Sequence, residues 1–508
     1  MAQLGSYSRP AFSDLLERGL QVLPDFSPQG LALCLNAIAS CRHTDNAATN
    51  VLLAAAEANA CRFAPQDITN TLNAMAQLNL YNPKVFSAML ARASLTQQLA
   101  GTSEARASLT QQLAGTSEAL LAAAADRRAD FTPQEVSNLL NAMAKLQHYD
   151  SGAAELWLGQ AARNTAVSSS QTVANCLNAM AKMDYFHAQA FEALLREVVN
   201  RGGEGFTPQE LSNCLNAMAK LAHRCPPTTP PPQGAGLCLL QAAGRQARAL
   251  TAQDIALTLN AMAKLSLLHL PSYSQLLLQI PGKSLYFTAQ GVSLCLNAMA
   301  KLQKMAFQEE RNTANTPTAA TSAPCAAAAA AAAEKVLSRV CGVAMELTAK
   351  DLSSSVNAAA VLGNTHRRNK HSKTSTSSTT TTTTTTSSSS RLEEAAKTAV
   401  FSLLSGCPEL KHLTAQGVAL SLNAMAQLGS YSRPAFSDLL ERGLQVLPDF
   451  SPQGLALCLN AIASCRHTDN AATNVLLAAA EANACRFAPQ DITNTLNAMA
   501  QLNLYNPK

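Results

Sequence analysis

One short string, Leu-Asn-Ala-Met-Ala in its fullest form, returns along the whole chain. Its Asn stands at Asn36, Asn73, Asn141, Asn178, Asn216, Asn260, Asn297, Asn357, Asn423, Asn460 and Asn497. Five of the ten intervals are 37 residues and one is 38. A unit of this length holds one supersecondary element. It cannot bury its apolar face alone, so the units must stack. Each unit reads as two helices. Thr132 is a good N-cap, Pro133 suits the first helical position and Glu135 completes a capping box. The same start recurs at Thr207-Pro208-Gln209-Glu210 and Ser27-Pro28-Gln29. After a short link a second helix follows, such as Ala188 to Val199 with Phe191, Leu194 and Leu195 inward. The expected fold is all-α, an α-solenoid of helix-turn-helix repeats of about 37 residues.

The longer intervals mark insertions, and they set the expected organisation. A repeat array covers 1–305. An Ala/Thr-rich insertion follows at 306–333, a degenerate repeat at 334–363 and a disordered Ser/Thr-rich loop at 364–390. A second array covers 391–508. Within the first array the block ARASLTQQLAGTSE occurs twice in succession, at 91–104 and 105–118, and a Pro cluster follows Cys225. Arg367, Arg368, Lys370 and Lys373 precede the Ser/Thr tract and read as a solvated linker or a localisation signal. Residues 1–84 and 425–508 are identical, so the sequence opens and closes inside a repeat, as a piece of a longer array does.

Composition narrows the function. The net charge is +5 over 508 residues, which permits a polyanionic partner without demanding one. The fourteen Cys form no CxxC pair, and five of them (Cys34, Cys176, Cys214, Cys295, Cys458) occupy one equivalent helical position, as small core residues do. They read as reduced thiols with no disulfide framework. His43, His148, His187 and His223 are scattered outside the repeated motif, and there is no nucleophile motif, phosphate loop or metal pair. An enzyme is therefore not expected, nor a cofactor, a metal or a small-molecule substrate. No apolar run reaches transmembrane length and no targeting peptide is visible.

The first helix carries two stripes. Val136, Leu140, Met143 and Leu146 form the apolar one, and Ala142 and Ala144 admit a close neighbour. The polar one is Gln134, Asn138, Asn141 and Lys145, at i, i+4, i+7 and i+11. It returns as Gln171, Asn175, Asn178, Lys182 and as Gln209, Asn213, Asn216, Lys220. In part it returns as Asn70 with Asn73, as Gln253, Asn260, Lys264 and as Gln290, Asn297, Lys301. Asn disfavours a helix interior because its amide competes with the backbone, so eleven repetitions need a cause. One cause is a ladder in which each anchor amide bonds the next repeat; the other is a surface for an extended ligand.

The positions three and six residues before the anchor vary. Asn138, Asn175 and Asn213 accompany Glu135, Thr172 and Glu210, whereas Leu33, Leu294 and Leu420 accompany Gly30, Gly291 and Gly417. Variable residues on a fixed repeat suit one-unit-per-base recognition; two packing classes explain them equally well. The lysines read as a phosphate ladder or as a solvated face.

The segment Phe131-Thr-Pro-Gln-Glu-Val-Ser-Asn-Leu-Leu-Asn-Ala-Met-Ala-Lys-Leu146, like Phe206 to Leu221, resembles the first helix of octotricopeptide repeats, found in organellar RNA-binding proteins of green algae, and the related heptatricopeptide repeats. The likeness covers nearly all of the chain outside the insertions. Asn stands at the anchor where that family usually carries an aromatic residue, and its Pro-rich motif ending in Glu-Trp is absent here. The resemblance implies an α-solenoid binding single-stranded RNA and acting in RNA stability, processing or translation, in the chloroplast stroma or alternatively the mitochondrion. The implied contacts are Asn70, Asn73, Glu135, Asn138, Asn141, Lys145, Asn175, Asn178, Lys182, Glu210, Asn213, Asn216, Lys220, Asn260, Lys264, Asn297 and Lys301. A protein-binding solenoid scaffold is the alternative.

Overall fold

The computed structural model describes residues 9–43, 45–99, 131–225, 234–312, 322–372, 383–405 and 407–502. These contain helices and turns and no β-strand. Consecutive helices pair into hairpins. The first helices are α2 (Pro28–Cys41), α4 (Pro65–Leu78), α6 (Pro133–Lys145), α8 (Ser170–Met183), α10 (Pro208–Leu221), α12 (Ala252–Leu265), α14 (Ala289–Asn312), α16 (Ala349–Ser372), α18 (Ala415–Leu428), α20 (Pro452–Cys465) and α22 (Pro489–Gln501). The second helices are α1 (Arg9–Gln21), α3 (Asn46–Ala58), α5 (Pro83–Leu99), α7 (Ser151–Arg163), α9 (Ala188–Asn200), α11 (Ala235–Arg245), α13 (Leu270–Lys283), α15 (Ser322–Val343), α17 (Thr383–Leu404), α19 (Arg433–Gln445) and α21 (Asn470–Ala482). The chain forms two compact units, Met1–Leu239 and Leu240–Lys508, divided within α11.

In the first unit α2, α4, α6, α8 and α10 stack in chain order; in the second α12, α14, α16, α18, α20 and α22 do the same. Second helices line the other side of each layer. Small residues let the first helices approach. Ser137, Ala142 and Ala144 are buried in α6, and Ser212, Ala217 and Ala219 in α10. Leu140, Met143, Leu177, Met180, Leu215 and Met218 fill the space towards the second helices, each worth about 1.5–3 kcal/mol of burial. Cys176, Cys214, Cys295 and Cys458 are buried among them. Burial pushes the Cys176 and Cys458 thiols up to about 12, so both stay protonated.

Local chemistry starts and stops each helix as the sequence dictates. The Thr132 side chain accepts from the Glu135 N–H while the Thr132 N–H donates to Glu135 Oε2 at 2.8 Å. At the far end a residue enters the left-handed region: Arg42, Asn79, Gln147, Asp184, Ser266, Gly429 or Arg466. The next N–H then bonds back to the Met or Ile of the repeated string, as in His148 N to Met143 O and Tyr185 N to Met180 O, both 3.0 Å. Between α9 and α10 the turn uses Gly202, Gly203 and Gly205 at φ 59°, 72° and 76°, values that glycine adopts without a Cβ clash.

Two expected boundaries change. The Ala run of the 306–333 insertion belongs to α15, where Cys325, Ala329, Ala330, Ala332 and Ala333 are buried against α13 and α17. Alanine is the strongest helix former and its small side chain suits a close helix contact, so a biased tract serves as a core helix. The degenerate repeat at 334–363 likewise resolves into the end of α15 and most of α16. Helix also continues from both sides into the 364–390 tract, through Ser372 in α16 and from Thr383 in α17. Residues 373–382 lie outside the described residues, as do 100–130, with most of the duplicated block, and the Pro cluster at 226–233.

Candidate nucleic-acid interface

The polar stripe lies on the side of the first helices turned away from their second helices. The anchors Asn73, Asn141, Asn178 and Asn216 of the first unit are half-buried, and so are Asn260 and Asn297 of the second. Asn297 Nδ2 donates to Ser293 O in its own helix at 2.9 Å. The amides of Asn73, Asn141, Asn178, Asn216 and Asn260 bond no described residue, so a ladder of anchor amides does not join these repeats. Thr172 Oγ1 donates to Gln134 Oε1 at 3.4 Å across one repeat boundary, and Asn364 Nδ2 to Gln427 Oε1 at 3.1 Å across another. Half-exposed, those five amides can bond water or a ligand.

Three residues earlier, Asn70, Asn138, Asn175 and Asn213 are half-buried as well. Asn138 Oδ1 accepts from Gln134 Nε2 at 3.2 Å, which leaves its own N–H donors free. In the second unit Leu257 and Leu294 take this place.

Six residues before the anchor the structure shows a second role beside the expected one. Glu135 and Glu210 were candidates for reading a ligand. Their carboxylates accept from the N-cap N–H of Thr132 at 2.8 Å and of Thr207 at 2.9 Å. Asp254 does the same to Thr251 at 3.0 Å. Where glycine replaces them, the reason is space. A Cβ on Gly417 would stand 3.2 Å from Leu413 and 3.3 Å from Ser353 in the preceding first helix. This position belongs to helix capping and repeat packing, because N3 of a helix faces the cap.

Lys145, Lys182 and Lys220 are exposed one turn beyond the anchors of three consecutive repeats. The Lys182 ammonium is held below the usual lysine range, first by partial desolvation and then by repulsion from Lys145 and Lys220. None of the three has an acidic partner among the described residues. Lys264 and Lys301 are exposed at the same place in the second unit. Such a file of like charges would be neutralised by a linear anion lying along it.

Two recurring contacts escaped the sequence reading. A cation near the end of a second helix clips the carbonyls at the start of its own hairpin: Arg201 Nη2 to Ser168 O at 2.6 Å, Lys283 Nζ to Arg248 O at 2.8 Å, Arg442 Nε to Leu413 O at 2.9 Å. A tyrosine also meets a histidine of the next hairpin, Tyr81 with His148 Nδ1 at 2.8 Å and Tyr431 with His467 Nδ1 at 2.7 Å. The basic residues Arg201, Lys283 and Arg442 near the ends of their second helices were a readable signal for the first contact; the second joins residues too far apart in sequence to be paired by spacing.

Among the described residues no group of three or more His, Cys, Asp or Glu is placed to hold a metal, and no helix is long and apolar enough to cross a membrane. A family model described as a protein of unknown function (DUF1601) matches residues 47–72 and 471–496, each spanning a second helix, its turn and most of the next first helix. No curated protein matches the chain. Among solved structures, similarity extends to a homology model of the full-length AP-3 complex in an intermediate open conformation (11% identity, 95% of this chain and 83% of that one, TM-score 0.33). It extends also to the crystal structure of the pentatricopeptide repeat protein PPR10 from maize (11% identity, 98% of this chain and 90% of that one, TM-score 0.17). What the fold itself defines is an α-helical repeat protein.

Proposed function

We propose that the chain binds single-stranded RNA along the open face of its first helices, in the manner of octotricopeptide-like repeats, and acts in organellar RNA stability, processing or translation, in the chloroplast stroma or alternatively the mitochondrion. The observation that carries this reading is the file of Lys145, Lys182 and Lys220, which has no acidic partner among the described residues, beside the Asn141, Asn178 and Asn216 amides, which bond no described residue. Lysines hold phosphates and position the strand; amides address base edges. Occupying a segment of RNA in this way blocks nucleases or opens a ribosome site.

The test is salt. Each phosphate contact to a single strand contributes about −0.7 to the slope of log affinity against log salt. Changing Lys145, Lys182 and Lys220 together to Gln should flatten the slope by about 2 and weaken all sequences alike. Gln is a good helix former, so stability should hardly move. A parental slope in the triple variant would remove these lysines from the interface. A protein-binding scaffold is the second reading, favoured by Leu285, Tyr286 and Met345, exposed at 77%, 78% and 68% on successive turns of the second unit. Tyr286→Ser would disrupt a protein complex and leave RNA affinity unchanged.

A further inference from the structure

The open face changes character within the second unit. One turn beyond the anchor, where α6, α8 and α10 carry Lys145, Lys182 and Lys220, the helices α16, α18 and α20 carry Val361, Gln427 and Ser464. Three residues before the anchor, the Asn of α6, α8 and α10 gives way to Ser354 and to two partly exposed leucines, Leu420 and Leu457. Between these two columns the stripe of the three helices bears no charge, so nothing in it neutralises a phosphate. The anchors persist as Asn357, Asn423 and Asn460, and their amides bond no described residue. Only 8% of Asn423 is exposed, and a carboxamide buried that far without a partner is costly. Neither its oxygen nor its nitrogen is sealed off, so a ligand on the open face can reach both.

An uncharged polymer with a polar backbone and apolar side chains suits such a strip, and a polypeptide is one. Its pitch fits as well. Stacked helices in contact lie about 8–10 Å apart, so successive anchors recur at about that interval. A polyproline-II chain rises about 3.1 Å per residue with three residues per turn, so it shows the same face about every 9 Å. Its N–H and C=O groups make no internal bonds and are free to pair with carboxamides. A β-strand repeats its face about every 7 Å and falls out of step. We infer that the open face of α16, α18 and α20 holds an extended, polyproline-II-like polypeptide. Backbone groups at every third residue meet Asn357, Asn423 and Asn460, and apolar side chains at the same interval lie against Leu420 and Leu457. This surface differs from the exposed turns at Leu285, Tyr286 and Met345; it extends the scaffold reading and does not depend on RNA binding by the first unit.

The experiment measures binding of the full chain to two labelled peptides, one repeating Leu-Pro-Pro and one of equal length repeating Glu-Pro-Pro. They share a backbone and differ at every third side chain. The leucine peptide should bind at least about tenfold tighter, the worth of one well-buried apolar side chain. In a variant, Leu420 and Leu457 are changed to Asn, the residue that α6, α8 and α10 carry at this place. It should fold as before by circular dichroism, bind the leucine peptide about tenfold more weakly and bind oligouridylate as the parent does. Asn423→Ala removes an unpartnered buried amide, so it should keep or raise thermal stability while weakening the leucine peptide about fivefold. No binding of that peptide by the parent, equal affinity for the two peptides, or a preference that survives the double change would overturn the inference and leave the RNA reading untouched. Lower stability with unchanged peptide affinity in Asn423→Ala would make the amide structural and overturn it too. Displacement of the bound peptide by oligouridylate would make this face part of the RNA track. Loss of the peptide in Tyr286→Ser would place it on the turns, overturning this surface while supporting the scaffold reading.

Discussion

Residues 1–84 and 425–508 are one sequence in two surroundings. Their helices share boundaries: α2 and α20 cover equivalent residues, as do α3 and α21. Even their caps agree, Arg42 and Arg466 both turning to φ 49°. Burial does not agree. Ile68 and Leu72 of α4 are fully buried, and α4 packs on α6. Their counterparts Ile492 and Leu496 in α22 are 44% and 60% exposed. The asymmetry reverses two hairpins earlier, where Leu15 of α1 is 64% exposed and its counterpart Leu439 of α19 is fully buried beside α18. Each repeat therefore writes its own helices, while its core is completed by whatever stacks on it.

The largest expected effect follows directly. Leu72→Ala removes a fully packed side chain and should cost about 3 kcal/mol, whereas Leu496→Ala should cost less than about 0.5 kcal/mol although the residue and its sequence neighbours are the same. The order inverts for the other pair, with Leu439→Ala costly and Leu15→Ala nearly silent. Hydrogen exchange in denaturant reads each hairpin locally, and each substitution tags its own otherwise duplicated peptide by mass. Equal costs within either pair would break the comparison, by showing that burial is a property of the repeat and not of its neighbours.

A smaller effect separates identical thiols. Burial raises the pKa of Cys34 in α2, but the side chain stays half-exposed; Cys458 in α20 is buried and pushed up to about 12. Because the thiolate is the reacting species and needs access, Cys34 should be alkylated well before Cys458 in the native protein. The flanking peptides are identical, so the assignment comes from comparing the Cys34→Ser and Cys458→Ser variants. Loss of the fast phase in Cys458→Ser would reverse the expected order and contradict the burial difference.

The same contrast explains what the sequence could tell. Periodicity and caps are local, so the helical hairpins, the Thr132–Glu135 box and the polar file from Asn138 to Lys145 are legible from spacing alone. The capping role of Glu135 was legible too, yet its variation from repeat to repeat also suited a base reader. The distances to Thr132 show the cap. At the Ala run near Ala330 composition does not say where the tract packs, because bias alone cannot distinguish a tract packed between α13 and α17 from one in solvent. The clasp of Tyr81 with His148 was invisible for the reason burial was: it is made by a neighbour.

That clasp supplies a pH effect of smaller size. His467 is held below the usual histidine range, chiefly by burial; Asp469 opposes the shift and Arg433 adds to it. The folded state thus prefers the neutral ring and binds fewer protons than the unfolded chain. Stability is complete above the unfolded value of about 6.5 and is lost as pH falls from there through the lower folded value. Thermal unfolding should therefore shift downward between about pH 7 and pH 5, and His467→Gln should remove part of the shift. A shift of the same size in that variant would place the titrating groups elsewhere.

The smallest effect is the one on which the two copies should agree. Arg42 and Arg466 end α2 and α20 in the left-handed region, where a Cβ crowds the following carbonyl at a cost of about 1–2 kcal/mol. Glycine avoids the crowding and gives back about 0.5–1 kcal/mol in unfolded-chain entropy. The net gain from Arg→Gly should be about 0.5–1 kcal/mol, and Gly429 already ends α18 this way at φ 65°. Both arginines are exposed, and both caps close through the same bonds, the Arg N–H to Ala39 O or Ala463 O at 3.1 Å and the next N–H to Ile38 O or Ile462 O at 3.0 Å. Nothing from a neighbouring repeat enters those bonds. Arg42→Gly and Arg466→Gly should thus stabilise their hairpins equally, within about 0.3–0.5 kcal/mol, the tolerance for independent sites. A gain confined to one copy would mean that the helix ends, like the core, are set by what stacks on them, and the division between local and neighbour-made structure would have to be redrawn at the cap.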